Sequence, residues 1–322
     1  MINNNVKSGD NVSEIPGISV VIPCYNCSDT IRRAIESVLA QTFTKWHLLL
    51  VNNNSTDNTV SILESYRDKY PDKITVLYET KKGAPAARNK GLSEAVADWV
   101  QFLDADDELL PGKLESQYVI ASAKNVSIVT GPFTLKGTRG GLPFEKVREI
   151  RKDDFWIALA ISQLGITSAN LWNREVLQRV NGWNEQLTSS QEYDLMFRMF
   201  QVLPSASFDN SNQTNIYIGS GESVSRVSGK EKGKALLQSR IGLRIRIKQY
   251  LAANNLLTPG RRKHLDVFIY QQLVENYRFI PEYISEQLKI SELKIPFGVW
   301  LKGKYFMMKM DLKGVLKRGG SH

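Results

Sequence analysis

Three acids share one turn in the stretch "FLDADDE": Asp104, Asp106 and Asp107. Carboxylates this close repel one another unless a cation sits between them. Hard divalent ions such as Mg²⁺ or Mn²⁺ take oxygen ligands and bridge to substrate phosphates. The Asp104-Ala105-Asp106 spacing lets one acid hold metal while its neighbour reaches a sugar hydroxyl. A solvated acidic turn ahead of a helix, where acids also suit the dipole, is the plainer alternative. A second pair, Glu192 and Asp194, lies in "SSQEYDLMFRM". Two positions apart, they do not share a helix face. Asp194 and Arg198 stand at i and i+4, which predicts a salt bridge and leaves Glu192 the freer carboxylate and the candidate base. A third feature is "CYNC", with Cys24 and Cys27 at C-x-x-C spacing. A redox pair fits a strand-to-helix turn. Zinc would need two more ligands, and His47, His264 and His322 do not stand at metal spacing. The plain reading is two small side chains on a turn.

These groups need a scaffold, and the first half of the chain alternates strand and helix patterns. Short apolar runs at 18–23, 46–51, 74–79 and 99–103 read as strands. Between and after them, "SDTIRRAIESVLAQ", "STDNTVSILESYRDKY", "APAARNKGLSEAV" and "LPGKLESQYVIASA" read as helices. Ser28 is the expected N-cap of the first, and Pro111 stands near the start of the fourth. Val60, Leu63 and Tyr66 are expected to face inward from the second. Such alternation predicts an α/β fold: a mostly parallel sheet with helices on both faces. Ligands of these sheets bind at the C-terminal strand ends, so the loops after Pro23, Val51, Glu79 and Leu103 are the ones to inspect. Later, "VSIVTG" and "ITSANLW" look strand-like, and "KGTRGGLP" (136–143) between them is expected to be a mobile loop. "SQEYDLMFRMFQVL" is helical. From about residue 227 the pattern is helical throughout, a C-terminal helical extension. The expected division is a disordered tail over 1–17, the α/β domain over 18–226 and a basic helical region over 227–322.

Charge follows that division. Residues 227–322 hold 19 Lys/Arg and 7 Asp/Glu, a net of +12, while residues 1–226 are at −3. The asymmetry suggests an anionic partner for the last third. No recognisable nucleic-acid module is present, so nucleic acid is not expected as a partner. In "PFGVWLKGKYFMMKMDLKGVLKR", Phe297, Leu301, Tyr305, Met308, Leu312 and Val315 follow helical spacing, flanked by Lys302, Lys309, Lys313 and Lys317. This is either a membrane-surface helix within residues 290–322 or a helix packed on its own domain or on a second subunit. Gly298, Gly303 and Gly314 weaken it as a helix. No apolar run approaches the ~20 residues of a membrane span, and "MINNNVKSGDNVSEIPG" has no apolar core of a secretory leader. A cytoplasmic location is the expectation, peripheral on the inner face of the membrane if the last helix binds lipid.

Taken together, "SVVIPCYNCSDTIRRAIESVLAQTF", "LLLVNNNSTDNT", "GAPAARNKGLSEAVADWVQFLDADDELLPGKLE" and "LWNREVLQRVNGWNEQL…QEYDLMFRM" resemble the family 2 glycosyltransferases of GT-A fold. The resemblance covers about residues 18–225, in family order and spacing. It implies inverting transfer of a sugar from a nucleotide-sugar donor, most simply a UDP-sugar, to a hydroxyl of a glycan or lipid-linked acceptor. The commonest task it implies is synthesis of a cell-surface polysaccharide. On that resemblance Pro23, Tyr25 and Asn26 lie beside the nucleotide and Arg88 approaches the nucleotide or its phosphates. Asp104 contacts the ribose with Ala105 beside it, and Asp106 holds Mn²⁺ or Mg²⁺ on the diphosphate. Glu192 matches the acceptor base, with Asp194 as second choice. Ser223, Ser225 and Arg226 resemble a loop that closes over the diphosphate.

One departure stands out. The family commonly has acids where this chain has Asn52 and Asn53, and the second typically accepts from the uracil ring N–H. An amide carries an acceptor and two donors, so Asn53 could serve uracil or, turned over, cytosine. Two other classes of function remain in view. A nucleotidyltransferase making nucleotide-sugars shares the layout, but its Gly-rich phosphate loop has no counterpart in "PCYNCSDT". A non-catalytic glycan- or nucleotide-binding module would not need Asp104 and Asp106.

Overall fold

The expected strands form a sheet buried on both faces. In this computed structural model, which describes residues 16–218 and 230–318, the first half runs β1 (Ile18–Cys24), α1 (Ile31–Leu39), β2 (Trp46–Asn52), α2 (Thr59–Lys69), β3 (Ile74–Tyr78), α3 (Ala84–Glu94) and β4 (Trp99–Phe102). A short β5 (Glu108–Leu109) precedes α4 (Lys113–Ser122) and β6 (Ile128–Thr130). Then come β7 (Phe133–Arg139), β8 (Leu142–Arg148), α5 (Phe155–Ala160), a 3₁₀ turn (Thr167–Ala169), β9 (Asn170–Asn173) and α6 (Arg174–Arg179). The α/β part ends with α7 (Gln191–Val202), β10 (Ala206–Phe208) and β11 (Thr214–Ile218). Four helices complete the described chain: α8 (Lys230–Ala253), α9 (Pro259–Asn276), α10 (Pro281–Ile290) and α11 (Phe297–Arg318). The tail over 1–15 and the 226/227 boundary lie outside the described residues.

The large sheet has seven strands in the order β10-β6-β9-β4-β1-β2-β3. All neighbours are parallel except β9, which runs antiparallel to both β4 and β6. Alternation along the strands feeds two cores. Val20, Ile22, Leu48 and Leu50 pack with α1 and α2, whereas Val21, Leu49 and Val51 pack with α3 and α7. On the second helix Leu63 and Tyr66 are buried as expected, joined by Ile62, and Val60 is half-buried. The second core also takes in Leu243, Ile247 and Leu251 of α8. Helix α8, with Leu265 of α9, is therefore built onto the sheet, and α10 and α11 pack in turn on α9.

A second sheet, β5-β11-β7-β8, was not legible in the sequence. The stretch expected to be a mobile Gly-rich loop is its β7–β8 hairpin. Gly140 and Gly141 have φ of 59° and 81°, the positive values that a tight two-residue hairpin turn requires. The first helix also starts later than expected. It begins at Ile31 with Thr30 at the N-cap position, and no side chain caps it. Ser28 instead donates its backbone N–H to Asp57 (3.1 Å), which draws it toward the loop after β2. Among the described residues no helix is long and apolar enough to cross a membrane.

Candidate functional site

Parallel register sets the ledge where the candidate residues collect. Cys24 ends β1 opposite Asn52 of β2, which lies opposite Tyr78 of β3. On the other side β4 pairs Phe102 with Val21, so "LDADD" leaves the sheet at the same edge. Because β9 is reversed, its beginning, with Ser168 just ahead of it, meets this edge from the other flank.

On the β1–β2 side, Pro23 is half-buried and Tyr25 is 60% exposed, an open ring at the end of the strand. Asn26 has φ of 44°, a left-handed conformation that asparagine tolerates. It clamps the two loops together. Its N–H donates to Ser55 Oγ (3.1 Å), and its Oδ1 accepts from the Thr56 N–H (2.8 Å).

The three asparagines are fasteners too. Asn52 Oδ1 accepts from the Ser55 N–H (3.2 Å). Asn54 Nδ2 donates to the carbonyls of Glu79 (3.2 Å) and Thr80 (3.0 Å). Asn53, 4% exposed, donates both amide hydrogens to the carbonyls of Glu79 (2.9 Å) and Lys81 (2.8 Å), and its Oδ1 accepts from the Gly83 N–H (2.8 Å). Carbonyls only accept and a backbone N–H only donates, so this amide has a single permitted orientation. The turned-over form considered for cytosine is not available. A carboxylate at 53 would face two carbonyl oxygens, so the amide suits this position where an acid would not.

At the end of β4 the three acids take three directions. Asp104 accepts from Arg88 Nη2 (2.6 Å), so the two residues expected near the donor phosphates and ribose are brought into one ion pair. Arg88 is 6% exposed, reaches Gln191 Oε1 of α7 (3.4 Å), and lies over the Trp183 ring at 4.5 Å. Asn89 fixes that indole by exchanging two hydrogen bonds with the Trp183 backbone (2.9 and 2.8 Å). Ala105 packs against the core beside α1. Asp106 is exposed, and its backbone carbonyl accepts from Arg33 (2.5 Å). Desolvation by its surroundings and the neighbouring Asp104 carboxylate raise its pKa. Asp107 turns inward, 2% exposed, where Ser168 Oγ donates to it (2.6 Å) and the Tyr217 N–H approaches at 3.3 Å. Burial, then the Asp104 and Asp106 charges, push its carboxyl well up. It is the joint between the two sheets.

The acids on α7 separate equally clearly. Ser190, just ahead of the helix, has φ of 54°. Glu192 is half-buried in the first turn. Desolvation raises its pKa; Arg88 and Arg244 oppose the rise and Asp104 adds to it. Arg88 and Asp104 are therefore near enough to act on the charge of the base candidate. Among the described residues no partner side chain is hydrogen-bonded to its carboxylate. Asp194, the second candidate, is 1% exposed and holds two guanidinium groups, Arg198 at 2.9 Å and Arg246 of α8 at 2.8 Å. The expected Asp194–Arg198 bridge is present, and the second arginine turns Asp194 into a buried brace with both oxygens committed.

Ser168, Trp183, Asn89 and Gln191 shape this ledge without having been singled out in the sequence. Their partners on the ledge lie 61 to 103 positions away, and no local pattern marks such pairings. Ser223, Ser225 and Arg226 lie outside the described residues. Cys24 is buried, Cys27 is partly so, and both are free thiols.

The mainly parallel sheet with helices on both faces, and an Arg–Asp pair and an open acid gathered at the end of β4, make this a GT-A-like α/β fold. Residues 19–168, just under half of the chain, match the family "Glycosyl transferase family 2". A relative from Escherichia coli, the UDP-Glc:alpha-D-GlcNAc-diphosphoundecaprenol beta-1,3-glucosyltransferase WfgD, is 36% identical over 118 residues, 37% of this chain and 46% of that protein. The fold is shared with S. aureus TarS 1-349 in complex with UDP-GlcNAc, at TM-score 0.59 and 18% identity, covering 89% of this chain and 79% of the other. The mannosyltransferase PcManGT from Pyrobaculum calidifontis, in complex with GDP-Man and Mn2+, superposes at TM-score 0.52 and 18% identity, covering 94% and 88%. The chain spans between about a third and a half of the length of the curated relatives it matches.

Proposed function

We propose that this chain is an inverting glycosyltransferase that moves a sugar from a nucleotide-sugar, a UDP-sugar foremost, to a hydroxyl of a glycan or lipid-linked acceptor. Cell-surface polysaccharide synthesis at the cytoplasmic side of the membrane is the setting. The carrying observation is the convergence on one ledge of Glu192, the Arg88–Asp104 pair and the open Asp106 carboxylate. The UDP-linked donors and the diphosphoundecaprenol acceptor in the names of the similar proteins support the substrate classes.

Glu192 takes the proton of the acceptor hydroxyl as that oxygen attacks the anomeric carbon and the bond to the diphosphate breaks. The half-buried setting that raises its pKa makes it a better base than a solvated glutamate. Arg88, held by Asp104 and the Trp183 ring, presents positive charge toward the diphosphate. Among the described residues the second oxygen of Asp104 has no hydrogen-bond donor, which leaves it for a ribose hydroxyl. Tyr25 and Asn26 border the nucleotide, with Pro23 and Asn53 behind them.

The donor set at Asp104 and Asp106 is all oxygen and suits Mg²⁺ or Mn²⁺. Among the described residues no three acidic, His or Cys side chains converge as a closed cage, which matches an ion shared between one or two carboxylates and substrate phosphates. Asp106 would hold it, and when bound it supplies charge neutralisation of the departing diphosphate. The Mn2+ in the mannosyltransferase complex supports that choice.

The test is a panel of UDP-, GDP-, dTDP- and CMP-sugars titrated calorimetrically with and without Mn²⁺, with product release followed in parallel. The reading expects metal-dependent binding of UDP-sugars, lost in Asp106→Ala, and slow release of nucleoside diphosphate. Release of pyrophosphate, or no binding of any donor, would overturn it.

A further inference from the structure

The basic helix α11 has two apolar faces, and only one is used inside the protein. Gly303 and Met307 are buried against α9, beside Tyr270 and Val274. A Cβ on Gly303 would collide with the Tyr270 ring, so the glycine that weakens the helix by propensity is what lets it lie close. Along the adjoining flank Phe297, Trp300, Leu301, Tyr305 and Met308 are between 40% and 73% exposed. Their spacing of three and four residues puts them on one stripe. Phe297 and Trp300 stack with centroids 5.9 Å apart. Lys302 and Lys309 stand exposed along one border, and Lys304 stands exposed within the stripe. A groove of about 670 Å³ between α9, α10 and α11 is lined in part by Trp300, Lys304 and Met308, so the apolar surface continues inward from the helix.

We propose that this face of α11 docks on an anionic lipid surface. A contiguous apolar stripe on a soluble surface marks an interaction site. Aromatic and aliphatic side chains bordered by lysines are the composition of a helix lying in the headgroup region. Charge decides between lipid and a second copy of the chain. The sequence of α11 holds six Lys/Arg and one acid, so pairing it with itself would place like charge against like charge, whereas anionic headgroups complement it. The chemistry of the sugar-transfer site plays no part in this argument.

Flotation of the full chain with phosphatidylcholine vesicles, with and without phosphatidylglycerol, tests it. Expected is binding to the anionic vesicles that weakens at high salt. The triple variant Phe297→Ser/Leu301→Ser/Tyr305→Ser should weaken it by about tenfold or more, and so should Lys302→Glu/Lys309→Glu. All five positions are exposed, and an unchanged thermal midpoint checks that folding is retained. Wild-type failure to float with either vesicle overturns the proposal. So does undiminished flotation of the triple variant, or light scattering showing a wild-type dimer that the triple variant dissolves without any vesicle binding. Donor binding is measured separately, so a defect there and a defect in lipid docking are distinguishable.

Discussion

Glu192 and Asp194 differ by two positions and by almost everything else. One is half-buried and near Arg88 and Asp104; the other is sealed between Arg198 and Arg246. Glu192→Gln should keep donor binding and lower turnover by about 10²-fold or more, measured by calorimetry and steady-state transfer. A base works deprotonated, and the Glu192 pKa is raised from 4.5. The acid limb of kcat/KM should therefore fall above the ordinary glutamate range, with activity rising as pH rises through it, and the limb should disappear in Glu192→Gln. Asp194→Asn should leave donor binding in place and lower stability by about 3 kcal/mol, because two guanidinium groups lose a buried counter-ion; urea midpoints measure this. The Asp194–Arg198 half of that brace could be read from its i,i+4 spacing. The Arg246 half could not, since nothing local announces a partner 52 residues away. Asn53 shows the same limit: its type pointed to a nucleobase wall, but its locked hydrogen bonds depend on a loop nearly thirty residues on.

At the scale of elements, the strand-helix alternation through residue 122 was legible because its apolar periodicities are strong. What escaped was non-local. The hairpin β7–β8 hid behind its glycines, β5 is two residues long, and α10 was not distinguished within the helical last third. One element carries a titration of its own. Lys113 opens α4 and is 1% exposed, with its ammonium directed to Gln101 Oε1. Burial lowers its pKa from 10.5 to about 7, against a smaller opposing pull from Asp209. Between those values the unfolded chain holds the proton and the folded chain does not, so stability rises with pH across that window. Lys113→Met should flatten the rise, seen in urea midpoints collected from neutral to alkaline pH. A slope unchanged in the variant would assign it to another group.

For the whole molecule, α8 matters most. Its Leu243, Ile247 and Leu251 share a core with Trp156, Phe200 and the sheet, and its Arg246 holds the helix that carries Glu192. Scanning calorimetry should therefore show one cooperative transition; two separated transitions would mean that the helices and the sheet fold independently. The family match stops at residue 168, ahead of α7 and all four last helices, so the candidate base and the elements bracing it lie beyond that match. The hairpin also bears on edge-to-edge association. Strand β8 is the free rim of the smaller sheet, and only Phe144 along it is not exposed. Pro143 has no N–H to offer, and Glu145, Lys146 and Arg148 place both signs of charge along the strand. An incoming strand would find an incomplete ladder and no continuous greasy seam, so fibre-like stacking through this rim is disfavoured from the outset.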